Sequence, residues 1–260
     1  MILGGLQKTT LIDFPGRIAC TVFTVGCNFR CPFCHNKDLV SQELFKKSGI
    51  ESISEEYFFE FLKKRKKILD GVCITGGEPT IWKDLPHFCQ KIKDLGLEVK
   101  LDSQGSNPKV LEGLINNKLI DFIAMDVKSS LDEEYLRAIG RRLNRKSSAQ
   151  QKQRKNKDME ILNLTKKSIK IILKSGLEYE FRTTMVPKIH NKAIMVKLVK
   201  DLKKIIGSRQ YNYYIQSFRP KNCLDSEYLK IEPYNEKQME EVLSAVRKVL
   251  PKTKLRGNSE

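Results

Sequence analysis

The sequence predicts an α/β fold: six strand–helix units, (β/α)6, with parallel strands wound as an open partial TIM barrel. Three observations carry this. Six short apolar runs alternate with six longer amphipathic ones. Several short runs are continuous and rich in β-branched or aromatic residues, as strands covered on both faces are. Six units fall short of the eight that close a full barrel, so the barrel stays open, with any ligand at the carboxyl ends of its strands.

The predicted strands are Arg17–Val25, Gly71–Thr75, Leu97–Ser103, Asp121–Val127, Tyr179–Val186 and Tyr211–Ser217. The first predicted helix opens at Ser54, an N-cap, and runs to Leu69 with Tyr57, Phe58, Phe61 and Leu62 at helical spacing. The second spans Leu85–Gly96 and stops at its glycine. The third has Asn107 as cap and Pro108 at the first helical position, where a missing N–H costs nothing. Glu160–Gly176 and Ala193–Gly207 also end at glycines, and Asn235–Leu250 stops at Pro251. A last short strand is expected near Leu255. No linker or internal repeat interrupts this alternation, so residues 1–260 are expected to form one domain.

A 260-residue chain with 40% hydrophobic residues can bury a core. No apolar run approaches the ~20 residues of a membrane span, and the N-terminal stretch is not a signal peptide. The reading is cytoplasmic, with no membrane partner and with reduced thiols. The formal net charge is +17, and Arg141–Lys157 holds eight Lys or Arg and no acid. That segment has almost nothing to pack, so it is expected to be a mobile, disordered loop. Without interleaved aromatics it makes a poor nucleic-acid site, though an acidic protein could be drawn to it.

Three of the seven cysteines, Cys27, Cys31 and Cys34, follow the first predicted strand with spacing Cys-x3-Cys-x2-Cys. Clustered thiolates suit a soft or borderline metal. A structural zinc site normally takes four ligands, and His35 adjoins Cys34 too closely to be the fourth. A four-iron cluster held by three thiolates accounts for the number and keeps one iron open. Cys20, Cys73, Cys89 and Cys223 are scattered and read as inert core thiols. The histidines His35, His87 and His190 pair with no nucleophile, so no catalytic triad is expected.

The cysteine motif, with Phe33 just before its last cysteine, resembles that of the radical S-adenosylmethionine (SAM) enzymes. "LIDFPG" (Leu11–Gly16), "CHN" (Cys34–Asn36), "ITGGEPT" (Ile74–Thr80), "LDSQG" (Leu101–Gly105), "AMDVK" (Ala124–Lys128), "EFRTTMVP" (Glu180–Pro187) and "QSFRP" (Gln216–Pro220) extend the likeness over nearly the whole chain. They resemble the glycyl-radical activating enzymes, specifically those that activate anaerobic ribonucleoside-triphosphate reductase. Two features depart from that pattern: the basic insertion, and Asp-Ser-Gln-Gly in place of Asp-Thr-Asn-Gly.

The resemblance implies a [4Fe–4S] cluster on Cys27, Cys31 and Cys34, and SAM bound to its open iron. A reduced cluster would then split SAM into methionine and a 5′-deoxyadenosyl radical, which takes a hydrogen from a glycine of the partner enzyme. Flavodoxin or ferredoxin is the implied electron donor, and one cluster is expected. Gly76 and Gly77 would let backbone approach the SAM amino group, with Glu78 as an acceptor and Pro79 stiffening the exit, although Gly-Gly-Glu-Pro by itself is also an ordinary turn. Arg182 matches a position that helps hold SAM. Gln216 and Arg219 could reach the ligand, and Phe33 packs on adenine or caps the core. Asp102 and Asp126 at strand ends would repel unless neutralised. The candidates are Lys128, or a monovalent or divalent cation on Asp102, Ser103 and Asp126, which the resemblance also implies. The alternatives are a small-molecule radical SAM enzyme resembling 7-carboxy-7-deazaguanine synthase, and a zinc-bearing nucleic-acid-binding protein suggested by charge alone.

Overall fold

The computed structural model describes residues 1–141 and 149–257, the first seven of the second stretch for backbone only. These residues pack as two compact units. The division does not follow a linker, which is why composition gives no sign of it. The units interleave in sequence and change over at the cysteine loop, after Ser103 and within one strand.

The first unit comprises residues 1–28, 36–103 and 109–124. It begins with β1 (Leu3–Thr10), which pairs antiparallel with β2 (Ala19–Thr24). The sequence reading passed over β1 because two glycines and three exposed polar positions obscure its alternation. After β2 come α1 (Gln42–Lys47), α2 (Glu55–Arg65), β3 (Gly71–Gly76), α3 (Leu85–Asp94), β4 (Glu98–Ser103) and α4 (Pro108–Asn116). β2, β3 and β4 pair in parallel, with Cys20 beside Val72 and Cys73 beside Lys100. Ser54 caps α2 by accepting the Tyr57 N–H at 3.1 Å, as predicted. Gly96, at φ +79°, ends α3 in the left-handed region where a side chain is strained. α3 buries Leu85, Phe88, Cys89 and Ile92, each apolar side chain contributing about 1.5–3 kcal/mol. Phe58 of α2 stacks on Phe88 with centroids 5.2 Å apart.

The strand β5 (Phe122–Asp126) follows β4 in the sheet, and its last two residues belong to the second unit. There follow α5 (Glu133–Ala138), α6 (Ala149–Ile172), β6 (Glu178–Met185), α7 (Lys192–Ile206), β7 (Tyr213–Ser217), α8 (Glu236–Arg247) and β8 (Lys254–Arg256). The sheet order is the chain order, β1 to β8, with β1 and β8 at its ends. β6, β7 and β8 pair in parallel. The six β/α units are therefore present, flanked by an antiparallel strand on one side and the expected short strand on the other. In β6, Phe181, Thr183 and Met185 are buried, and Glu180 and Arg182 share the opposite face. α8 opens with a full capping box of Asn235 and Gln238.

Residues 142–148 of the basic segment lie outside those described, but from Ala149 the chain is helical, not a loop. Ala, Gln, Lys and Arg are strong helix formers, and the reading gave apolar periodicity too much weight against propensity. Among the described residues, no helix is long and apolar enough to cross a membrane.

Candidate functional site

In the first unit, the cysteine loop leaves the carboxyl end of β2 and is closed at its base. Gly26 N–H donates to the Leu39 carbonyl at 2.7 Å and Cys27 N–H to that of Val40 at 2.9 Å. The Asn36 amide donates to the Gly76 carbonyl at 3.0 Å, tying the returning loop to the end of β3. That end also wraps onto β2: Gly77 N–H bonds Thr24 O and Glu78 N–H bonds Gly26 O, both at 2.8 Å. A Cβ on Gly76 would lie 2.5 Å from Thr24 N, and one on Gly77 would lie 2.1 Å from Gly26 O. The protein's own backbone therefore requires glycine at both positions.

Glu78 is completely buried. Its Oε1 accepts from Thr80 N (3.2 Å), from Thr80 Oγ1 and from Ser103 Oγ (2.8 Å). Burying a carboxylate costs several kcal/mol unless donors replace water, and here they do. Glu78 thus fastens the exit of β3 to the end of β4 and caps the short turn that Pro79 begins. Asp102 accepts from Thr75 Oγ1 at 3.3 Å and pairs with Lys100, two residues earlier on the same face of β4. Lys100, only 2% exposed, also has Cys73 Sγ at 3.6 Å and the Phe122 ring at 5.8 Å.

In the second unit, Cys31 and Cys34 bracket a turn closed by Cys34 N–H to Cys31 O at 3.1 Å. Asp225 N–H donates to Pro32 O at 2.9 Å, and the Asn222 amide to His35 O at 3.0 Å. Phe33 is 6% exposed, with the Tyr228 ring 6.5 Å away. His35 packs near Phe218, and burial, with Lys128 and Arg219 nearby, lowers its pKa.

An alternating ladder of charges crosses this unit. Asp126 accepts from Lys128 Nζ and from Arg182 Nε, each at 2.9 Å. Arg182 lies 3.7 Å from Glu180, and Glu180 takes a two-pronged bond from Arg256, both arms 2.7 Å. The Arg256 guanidinium stacks over Tyr214 at 4.0 Å. Gln216, two residues on along β7, stands level with Thr184 and Arg256. Burial opposes the charge on Asp126, but Arg182 and Lys128 outweigh it and hold the carboxyl well below the usual range. Burial likewise opposes the charge on Lys128; Asp126, Cys31 and Cys34 reverse this and raise its pKa.

Of the two neutralisers considered at these strand ends, Lys128 pairs with Asp126, and Lys100 pairs with Asp102. Sequence reasoning missed Lys100, Glu180 and Arg256. For Lys100 and Glu180 the available signal was charge of opposite sign at i and i+2 on one strand, as in Lys-x-Asp and Glu-x-Arg; Arg256 carries no such signal.

All seven cysteines are thiols. Cys20 and Cys89 are core thiols as expected, with burial pushing both up to about 12. Cys27 belongs to the first unit, and Cys31 and Cys34 to the second. Among the described residues, no three His, Cys, Asp or Glu side chains gather about one metal ion. An iron–sulfur cluster does not ask for that, because each thiolate binds a different iron. Three thiols from one short loop are the donor chemistry such a cluster takes, and the residues fit it on that ground.

The fold and this thiol set define a cofactor-dependent α/β enzyme. The family model that matches is the Radical SAM superfamily, over residues 21–195. A Methanocaldococcus jannaschii protein named as a glycyl-radical enzyme activating enzyme, MJ1227, is 31% identical over 258 residues, covering 98% of this chain and 95% of the relative. The pyruvate formate-lyase-activating enzyme of Listeria monocytogenes is 33% identical over 136 residues, 48% of this chain and 52% of that enzyme. Hyperthermus butylicus 7-carboxy-7-deazaguanine synthase is 35% identical over 96 residues, 36% of this chain and 38% of the synthase. Among solved structures, Streptococcus suis SuiB has a TM-score of 0.61 at 13% identity, covering 91% of this chain and 48% of SuiB, a likeness of fold alone. The chain belongs to the Radical SAM superfamily.

Proposed function

We propose that the protein is a cytoplasmic activase that installs a glycyl radical on a partner enzyme, anaerobic ribonucleoside-triphosphate reductase. The observation that carries this is the trio Cys27, Cys31 and Cys34 on a loop closed at its base, in a chain aligned almost end to end with MJ1227. The three thiolates would hold a [4Fe–4S] cluster, with SAM beside it. When reduced by flavodoxin or ferredoxin, that pair supplies one-electron cleavage of a sulfonium to yield a hydrogen-abstracting carbon radical.

The chain's own residues supply position and charge. Glu78, through Thr80 and Ser103, fixes the backbone after β3. Lys128 and Arg182 are the cations to which the carboxylate of SAM is assigned, with Asp126 fixing both heads. Gln216 lies on the same strand face as Tyr214, next to Arg256, and is assigned to the ligand with them. The rival small-molecule reading rests on a match to 36% of the chain, against 98% for the activase.

The test is anaerobic reconstitution followed by dithionite, SAM and the reductase. Iron and sulfide in near-equal amounts, methionine release, and a glycyl-radical signal by electron paramagnetic resonance are expected. Zinc in place of iron would overturn the whole reading, and methionine release with no signal on any glycyl-radical partner would overturn the activase.

A further inference from the structure

We infer that His190 is a positioning residue: its imidazole holds the backbone carbonyl of Lys128 and so places the ammonium assigned to the carboxylate of SAM. Near their carboxyl ends β5 and β6 are joined by Val127 N–H to Arg182 O at 2.8 Å and by Thr183 Oγ1 to Val127 O at 2.7 Å. Lys128 lies one residue further on. There the ring of His190 takes over, with Nε2 2.8 Å from Lys128 O.

The direction of that bond follows from the other side of the ring. Val186 N–H, which can only donate, reaches Nδ1 at 3.0 Å. Nδ1 is therefore the acceptor, so a neutral ring carries its proton on Nε2 and donates it to Lys128 O. Burial favours the neutral ring: His190 is 2% exposed, and its pKa falls to about 4. The turn that carries the ring closes on the same peptide. His190 N–H donates to Val186 O at 2.8 Å and Ile189 N–H to that oxygen at 3.2 Å. Lys188 within the turn has φ +68°, a left-handed conformation uncommon outside glycine. The Tyr234 hydroxyl donates to His190 O at 2.6 Å. Val186 thus grips His190 by backbone and by ring, and the ring has one orientation.

Lys128 is consequently held at both ends, its carbonyl by His190 and its ammonium by Asp126 at 2.9 Å. Arg182, the other cation on Asp126, sits inside β6 and stands level with Tyr214 of β7. The sheet fixes Arg182 without help from the turn, so loss of the ring loosens Lys128 alone. Without Nε2–H the Lys128 carbonyl must turn toward another donor, and the ammonium moves with its peptide. This role rests on the proposed function in taking Lys128 as a cation for the SAM carboxylate. That contact is made by bound SAM before any bond breaks, so weakening it raises KM and leaves kcat nearly unchanged.

The experiment compares the wild type with His190→Asn, His190→Gln and Ser54→Ala. The Asn amide keeps an acceptor for Val186 N–H but puts no donor where Nε2 stood, whereas the longer Gln amide can present an N–H to Lys128 O. Ser54→Ala removes the cap of α2 in the first unit and controls for lost stability. The chain has three histidines, so nitrogen-15 labelling of histidine in the full, cluster-free chain gives three ring systems, and the one missing from His190→Gln is His190. An Nε2-protonated neutral ring is expected at neutral pH. On unreduced, reconstituted protein the Kd for SAM should rise about tenfold in His190→Asn, return to within about threefold of wild type in His190→Gln, and stay unchanged in Ser54→Ala. The KM for SAM in reductive cleavage should follow the Kd, with kcat within about twofold. An Nδ1-protonated or charged ring, an unchanged Kd in His190→Asn, an equal rise in Ser54→Ala, or a fall in kcat at constant KM overturns the inference. A wild type that takes up no iron and sulfide fails the proposed function instead, and not the grip of His190 on Lys128, which the tautomer reads by itself.

Discussion

Replacing Asp126 by Asn keeps the shape of the residue and removes the anion shared by Lys128 and Arg182. The side chains of Lys128 and Arg182 are 19% and 13% exposed, so the loss is screened less than at a surface pair. Two charge-assisted bonds are weakened, each worth about 1.5–3 kcal/mol net. Arg182 keeps Glu180 at 3.7 Å, so most of the loss falls on Lys128, and a net cost of about 2–4 kcal/mol follows. For a chain of this size that lowers Tm by roughly 4–16 °C. The assay is thermal and urea unfolding of Asp126→Asn, Lys128→Met and the double variant. Because the cost arises from stranding Lys128, the double variant should regain at least about 1 kcal/mol relative to the sum of the singles. The pH dependence has a fixed sign. The folded carboxyl titrates below its ordinary 3.8, so its contribution is fully present above about pH 4 and is lost as pH falls below that. The gap between wild type and Asp126→Asn should therefore close in acid. Additivity within about 0.5 kcal/mol, or a gap that widens in acid, would refute the reasoning.

Single Cys→Ala changes at Cys27, Cys31 or Cys34 should each abolish iron binding, whereas Cys20→Ala and Cys89→Ala should retain it, as measured by iron and sulfide content. His190 accepts from Val186 N–H and donates to Lys128 O. Burial lowers its pKa from 6.5 to about 4, so the unfolded chain takes up this proton first. Stability is full above about pH 6.5 and falls between there and pH 4 by roughly 3 kcal/mol, and His190→Gln should flatten that slope in urea titrations. Gly77→Ala pushes a methyl group to 2.1 Å from Gly26 O and should cost about 1–3 kcal/mol, with iron retention reduced because the same loop begins at Cys27.

The six β/α units were legible because buried parallel strands are written as short continuous apolar runs, and their helices carry local stop signals at Gly96, Gly176 and Gly207. β1 was not legible, since an edge strand needs only half its residues buried and "LGGLQKTT" offers few. The start of α6 failed for the opposite reason. Its first turns have no apolar stripe to read, and only the propensities of Ala149, Gln150 and their neighbours mark them as helix. The cysteine trio was plain from spacing.

The charges show where pattern reading stops. Lys-x-Asp at 100 and 102 and Glu-x-Arg at 180 and 182 each place opposite charges on one strand face, and Asp-x-Lys at 126 and 128 places them at and just past the end of β5. Sequence alone cannot tell whether that face meets solvent, where such pairs are worth little, or is covered, where removing one member is expensive. Lys100 at 2% exposure and Glu180 at 3% decide for the covered case. Once covered, the carboxylates compete with one another only for the cations within reach, and each strand carries its own. This is how lysines neutralise Asp102 and Asp126 at their strand ends. In the second unit the ladder comprises Lys128, Arg182 and Arg256 against Asp126 and Glu180, which leaves one positive charge in excess. A partly buried surplus of that sign favours an anionic group beside Lys128, the same lysine whose pKa already responds to Cys31 and Cys34.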